Sequence, residues 1–144
     1  MVEMHQILKE TLMDLHPATQ LSPKTNHDAE FAYGAGQIDP SKAINPGLVY
    51  DANEIDYVRF SCGQGYSTRT VTNVGLSSST YKAIVTAPQG LKIEVNPNVL
   101  YVGKKQTFLL TIEGTLEENI VSDSLVWDDD KFQFRSPIVV FNAP

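Results

Sequence analysis

Cysteine is almost missing: Cys62 is the only one among 144 residues. That excludes an internal disulfide, and no Cys/His spacing of a zinc site exists. Long apolar runs are missing as well. None approaches the roughly 20 residues with which a helix crosses a bilayer. The first six residues, Met1 to Gln6, lack a basic segment leading into an apolar run, so no cleavable signal peptide is read there. No Asn-x-Ser/Thr acceptor occurs either, so glycosylation offers no sign of secretion. Taken as written, the chain is expected inside the cell and off the membrane. Positive charge is scarce, with 11 Lys and Arg against 17 Asp and Glu and a net charge of −6. Phosphate backbones need clustered Lys and Arg, so nucleic-acid binding is disfavoured. The one adjacent basic pair, Lys104-Lys105, reads as a solvated turn.

Recognisable catalytic strings are absent too. No serine sits in a glycine-flanked nucleophile turn of the G-x-S-x-G type, and Ser77-Ser78-Ser79 reads as a polar hairpin loop. A catalytic histidine needs a nucleophile within hydrogen-bond reach and an orienting acid. Of His5, His16 and His27, only His27 has an acid beside it, Asp28. Adjacency along the chain gives no geometry, so all three read as surface histidines. Asp128-Asp129-Asp130 could hold a hard cation, but it lacks the spacing and glycine of a calcium loop; it reads as a charged turn. Cys62 has no basic neighbour beyond Arg59 and reads as a buried or unpaired thiol. No residue is therefore assigned a catalytic, metal-binding or cofactor-binding role, and no cofactor is implied.

What is present is a globular composition, 42% hydrophobic and 19% charged, on a length that suits one domain or a small domain with an extension. Met4, Ile7, Leu8, Leu12 and Leu15 recur at helical spacing over residues 3–15, and Pro17 would end that helix. Residues 17–30 read as a polar connection. Asp39-Pro40 and Asp51-Ala52-Asn53-Glu54 carry helix-start signals, the second in the form of a capping box. Ile55, Val58 and Phe60 follow it, and Gly63 is a stop. From about Thr68 the period becomes two. The expected strands are 69–74, 79–86, 91–96, 99–102, 106–113 and 120–141, the last folded into a hairpin. Turn-bounded alternation of this kind predicts a mainly β fold, an antiparallel sandwich. Pro137 in the last run favours an edge strand.

The stretch "FAYGAGQIDPSKAINPGLVYD" at residues 31–51, followed by "DYVRFSCGQGY", resembles the end of the protease domain of plant subtilisin-like serine proteases, the cucumisin-like subtilases. The shared features are Gly34-Ala35-Gly36, Pro40 with Ala43, Pro46 to Asp51, and Asp56-Tyr57-Val58. "TRTVTNVG", "TYKAIVTAPQGLKIEVNP" and "RSPIVVF" look like the fibronectin type III-like domain that closes such enzymes. The resemblance covers about residues 21–144. It implies three parts: a helix and polar connection at 1–30, a remnant of the protease end at 31–67, and a fibronectin type III-like sandwich at 68–144.

The departures from the family are as informative. Its catalytic D-T-G, H-G-T and G-T-S-M-A motifs and its oxyanion-hole Asn belong upstream of the matching region, and the three motif strings do not occur in this sequence. Between "CGQGY" and "TRTVTNVG" the family carries a longer segment with a second cysteine and an L-N-Y-P-S-type first strand. Here Ser67-Thr68 runs straight into Arg69. The sandwich is therefore expected to lack its first strand and to expose an edge, and Cys62 to lack its partner. Tyr33, Ile38, Leu48, Val49, Tyr50, Tyr57 and Phe60 are expected to form an apolar patch where a protease core would sit, a place for docking or self-association. The leading functional expectation is a non-catalytic structural or interaction module from the C-terminal part of a subtilase. Two alternatives stand beside it: part of an active serine endopeptidase whose triad lies elsewhere, or a free-standing binding module. The family is secreted to cell wall or vacuole, in contrast to the expectation from the N-terminus.

Overall fold

Alternation of apolar and polar side chains sorts residues onto the two faces of each strand, and two such sheets bury their apolar faces against each other. The computed structural model, which describes residues 46–51, 54, 66–75, 79–118 and 120–141, shows this arrangement. The strands are β1 (Leu48–Asp51), β2 (Tyr66–Asn73), β3 (Ser79–Val85), β4 (Leu91–Asn96), β5 (Val99–Val102), β6 (Lys105–Gly114), β7 (Ile120–Asp128) and β8 (Gln133–Phe141). They form two four-stranded sheets in the orders β1-β2-β6-β4 and β5-β3-β7-β8. All six pairings are antiparallel. The mainly β, antiparallel sandwich expected from the period of two is what forms. The expected strands 91–96 and 99–102 match residue for residue, and the hairpin in 120–141 turns at 129–132.

The core is built by the predicted alternations. Leu91, Phe108, Leu110 and Ile112 from one sheet meet Tyr81, Leu100, Leu125, Trp127, Ile138 and Val140 from the other. An edge-to-face aromatic chain crosses between the sheets. Tyr50 lies 6.2 Å from Phe108 at 62°, and Phe108 lies 5.0 Å from Trp127 at 68°, both favourable quadrupole arrangements. Pro137 lies in β8, the last strand of its sheet, where its missing N–H breaks no internal ladder. β8 departs from strict alternation, since Ser136 to Val140 are all buried.

One expectation is corrected. The edge of β2 is not open: Leu48–Asp51 lies along it, with Leu48 opposite Asn73 and Asp51 opposite Thr70. The reason is chemical fit. Leu48 and Tyr50 are apolar on the inner face, Val49 and Asp51 fall on the outer face, and four residues suffice to extend the sheet. Asp51 correspondingly ends a strand, and its carboxylate engages Thr72 and Lys105. The expected helices at 3–15 and after Asp39, and the continuation of the third at 55–62, lie outside the described residues.

A glycine fixes the far end of the β4–β6 ladder. Gly114 has φ 136° and sits opposite Leu91. A Cβ there would overlap the Gly90 carbonyl oxygen, which accepts a hydrogen bond from Thr115 N at 3.2 Å. Gly114→Ala is expected to destabilise the domain by about 1–3 kcal/mol, the cost of a glycine-only backbone region. Urea unfolding followed by Trp127 fluorescence measures it, and an unchanged midpoint would refute the strain.

Candidate interaction surface

Most of the residues singled out from the sequence do not enter a reactive constellation. His5, His16, His27, Cys62, Ser77 and Ser78 lie outside the described residues, as do Tyr33, Ile38, Tyr57 and Phe60. Ser79 opens β3. In the acidic triplet, Asp128 Oδ1 accepts from Asp130 N at 2.8 Å and Oδ2 from Gln133 Nε2 at 2.8 Å. Asp129 Oδ1 accepts from Lys131 N and Phe132 N. These carboxylates cap a hairpin turn in which Asp130 takes φ 68°, a conformation that aspartate tolerates. Among the described residues no group of three His, Cys, Asp or Glu could hold a metal ion.

What the structure does assemble is a seam around β1. Pro46 and Gly47 lead into it, and Gly47 is tied to the loop after β2: its carbonyl accepts from Val74 N at 2.8 Å and Gly75 N at 3.1 Å. Gly47 has φ 71°, and a Cβ there would stand 2.8 Å from Phe134 Cζ and 3.3 Å from the Tyr81 hydroxyl. Only glycine fits both the backbone and the space. Leu48 is buried in the core. Ser136 Oγ on β8 donates to the Tyr50 hydroxyl at 2.8 Å, closing the side of the sandwich between the two sheets. Burial raises the Tyr50 pKa above the usual phenol range, while the bond from Ser136 works against that rise. Arg69, buried on β2 opposite Phe108, adds a favourable charge beside the same hydroxyl.

The outer face of β1 is polar at its end. Asp51 accepts from Thr72 Oγ1 at 2.9 Å and pairs with Lys105 Nζ at 2.8 Å. The bond to Lys105 is the main reason its carboxyl titrates below the usual range, with Thr72 helping. A carboxylate with a lowered folded pKa stabilises above its unfolded value near 3.9 and loses that contribution as pH falls through the folded value. The protection factors of the Leu48–Asp51 amides, taken relative to the intrinsic exchange rate at each pH, are therefore expected to fall below about pH 4. Asp51→Asn should flatten that dependence at a cost under about 1 kcal/mol, because the pair is largely exposed. An acid dependence unchanged in the variant would refute the role of Asp51.

Of the apolar residues expected on a docking patch, Leu48 and Tyr50 point inward, and Val49 is exposed at 38%. The contacts of Gly47, Ser136 and Lys105 were not read from the sequence. Their partners lie far along the chain, Ser136 being 86 residues from Tyr50.

The family comparison agrees with this architecture. A family model described as "Fibronectin type-III domain" matches residues 58–140. Among curated relatives, the subtilisin-like protease SBT4.14 of Arabidopsis thaliana is 34% identical over 177 residues, covering 87% of this chain and 24% of that protein. The subtilisin-like protease SBT4.10 of the same plant is 36% identical, covering 78% of this chain and 23% of that protein. The chain thus spans about a quarter of the length of these relatives. An alignment of 177 positions is longer than the chain itself, so the relative carries residues within it that this chain lacks. A solved structure, the FixG-related protein from Vibrio parahaemolyticus, aligns with a TM-score of 0.43 at 14% identity, over 67% of this chain and 94% of that one. By its family match this chain belongs to the fibronectin type-III domain family, and its relatives are plant subtilisin-like proteases.

Proposed function

We propose that this chain acts as the non-catalytic C-terminal part of a subtilisin-like serine endopeptidase, a structural or interaction module that docks on the protease domain. The observation that supports this most is β1. Pro46 to Asp51, the stretch that resembles the end of a protease domain, is hydrogen-bonded into the sandwich and anchored there by buried Leu48 and half-buried Tyr50. A flexible linker would leave the two parts free to reorient. A shared strand instead fixes the sandwich to whatever precedes it. The chain supplies no peptidase activity of its own in this reading. Triad catalysis needs nucleophile, base and orienter together, and the family's motifs for them do not occur in the sequence.

The test has two arms. The purified chain is assayed with a generic peptide substrate and a serine-directed fluorophosphonate; no turnover and no labelling are expected. It is then added to a plant subtilisin-like protease cut back before its fibronectin type-III domain. Saturable binding and a raised melting temperature of the protease are expected, as linkage requires of a ligand for the native state. Labelling of the chain itself, or no binding, would overturn the proposal.

A further inference from the structure

Among the described residues four strands border the two sheets: β1 and β4 in one, β5 and β8 in the other. β1 and β5 have four residues each, and β8 carries Pro137. β4 is different. It has six residues, LKIEVN, without proline, and among the described residues it pairs with β6 alone. Its inward residues Ile93 and Val95 are only half-buried. Such an edge is a template for another strand unless side chains block it.

The side chains on β4 do not block it; they select a partner. Lys92 and Glu94 both project from the outer face and are exposed, joined by an ion pair of 2.6 Å. We propose that β4 pairs antiparallel with β4 of a second copy of this chain, about a two-fold axis at Ile93. In that register Lys92 lies opposite Glu94 of the partner subunit, and the reverse pair forms by symmetry. Ile93 meets its own symmetry mate on the inner face, and Leu91 lies opposite Val95 of the partner subunit. The sheet would become eight-stranded, and Ile93 and Val95 would complete their burial.

The charges specify this register and no neighbouring one. A slip of two residues sets Lys92 against Lys92 or Glu94 against Glu94, and directly opposed like charges oppose pairing. A slip of one residue would bring the polar set onto the inner face. The strand is thus complementary to itself in one antiparallel arrangement, the requirement for an isologous two-fold contact. The intrachain pair does not compete strongly, because an exposed ion pair holds its partners loosely. β5, which follows β4 directly after Asn98, borders the other sheet and carries Tyr101, exposed at 74%.

The test is the solution mass of the 144-residue chain by size-exclusion chromatography with light scattering, over a range of concentrations. Wild type is expected at twice the mass of one chain. Glu94→Lys should weaken association by about tenfold or more, and the charge swap Lys92→Glu/Glu94→Lys should restore it. Far-UV circular dichroism and Trp127 fluorescence confirm that each variant is folded. A wild-type monomer at all concentrations overturns the proposal. So does a dimer indifferent to Glu94→Lys, which would place the contact elsewhere on the chain, or a swap that fails to restore it.

Discussion

Replacing Trp127 by alanine is expected to cost about 3–5 kcal/mol, the range for emptying a large aromatic site in a packed core. The residue is fully buried, at 0% exposure. It lies on β7, paired on one side with β3 and on the other with β8. Its ring meets the edge of Phe108 from the opposite sheet. Alanine therefore removes contacts to both layers at once, and the β-ladders on either side limit how far the cavity can collapse. Domains are stable by about 5–15 kcal/mol, so the variant would keep little margin. A fall in melting temperature of roughly 10 °C or more follows for a chain of this size. Because the only tryptophan is lost, unfolding must be followed by far-UV circular dichroism. A change below about 1 kcal/mol would mean that the two sheets do not depend on this contact.

The second large effect concerns Tyr50. Tyr50→Ala is expected to cost about 3 kcal/mol or more, by analogy with other aromatic truncations. It removes the edge contact to Phe108 and the acceptor for Ser136 Oγ together. Leu48 alone would then anchor β1 in the core, so loss should concentrate there. Amide exchange at Leu48–Asp51 and along Thr70–Asn73, the partners in the ladder, should rise far more than in β6 or β7. Tyr50→Phe separates the two contributions. It keeps the ring and leaves Ser136 unsatisfied, at about 1–3 kcal/mol. Uniform exchange across all strands in Tyr50→Ala would show that β1 unfolds only with the whole domain.

Most strands were legible because their partners are irrelevant to the signal. Leu91, Ile93 and Val95 alternate with Lys92 and Glu94, and Phe108, Leu110 and Ile112 with polar or half-exposed neighbours. A period of two identifies a half-buried strand wherever it pairs. β1 was not legible for the opposite reason. Four residues carry barely two periods, and Asp51 to Glu54 also carries a helix-start signal, with Glu54 itself helical. Only the edge of β2, fifteen or more residues later, decides that Leu48–Asp51 becomes a strand. The open edge expected from the resemblance rests on the missing L-N-Y-P-S-type segment, whereas a neighbouring segment of the right alternation fills the place. The burial of both faces of β8 at Ser136–Val140 was likewise hidden, since alternating letters predict one wet face. The acidic triplet is legible as a turn because aspartate's short carboxylate reaches backbone amides two and three residues on, a local property.

The Asp128–Lys131 turn has a consequence for how the molecule assembles. The amides of Asp130, Lys131 and Phe132 are satisfied by the turn's own carboxylates and the Asp129 amide by the Phe132 carbonyl, so β7 and β8 can meet after closing a loop of only a few residues. The β2–β6 ladder joins residues such as Tyr66 and Thr111, and its closure must draw in the whole intervening chain. Local contacts cost less chain entropy to form before they are rewarded. The β7–β8 hairpin, carrying Trp127 and Ser136, is thus the natural nucleus, and the β1 seam is the last element that can be sealed, because its pairing surface on β2 and its acceptor's donor on β8 must both already stand in place.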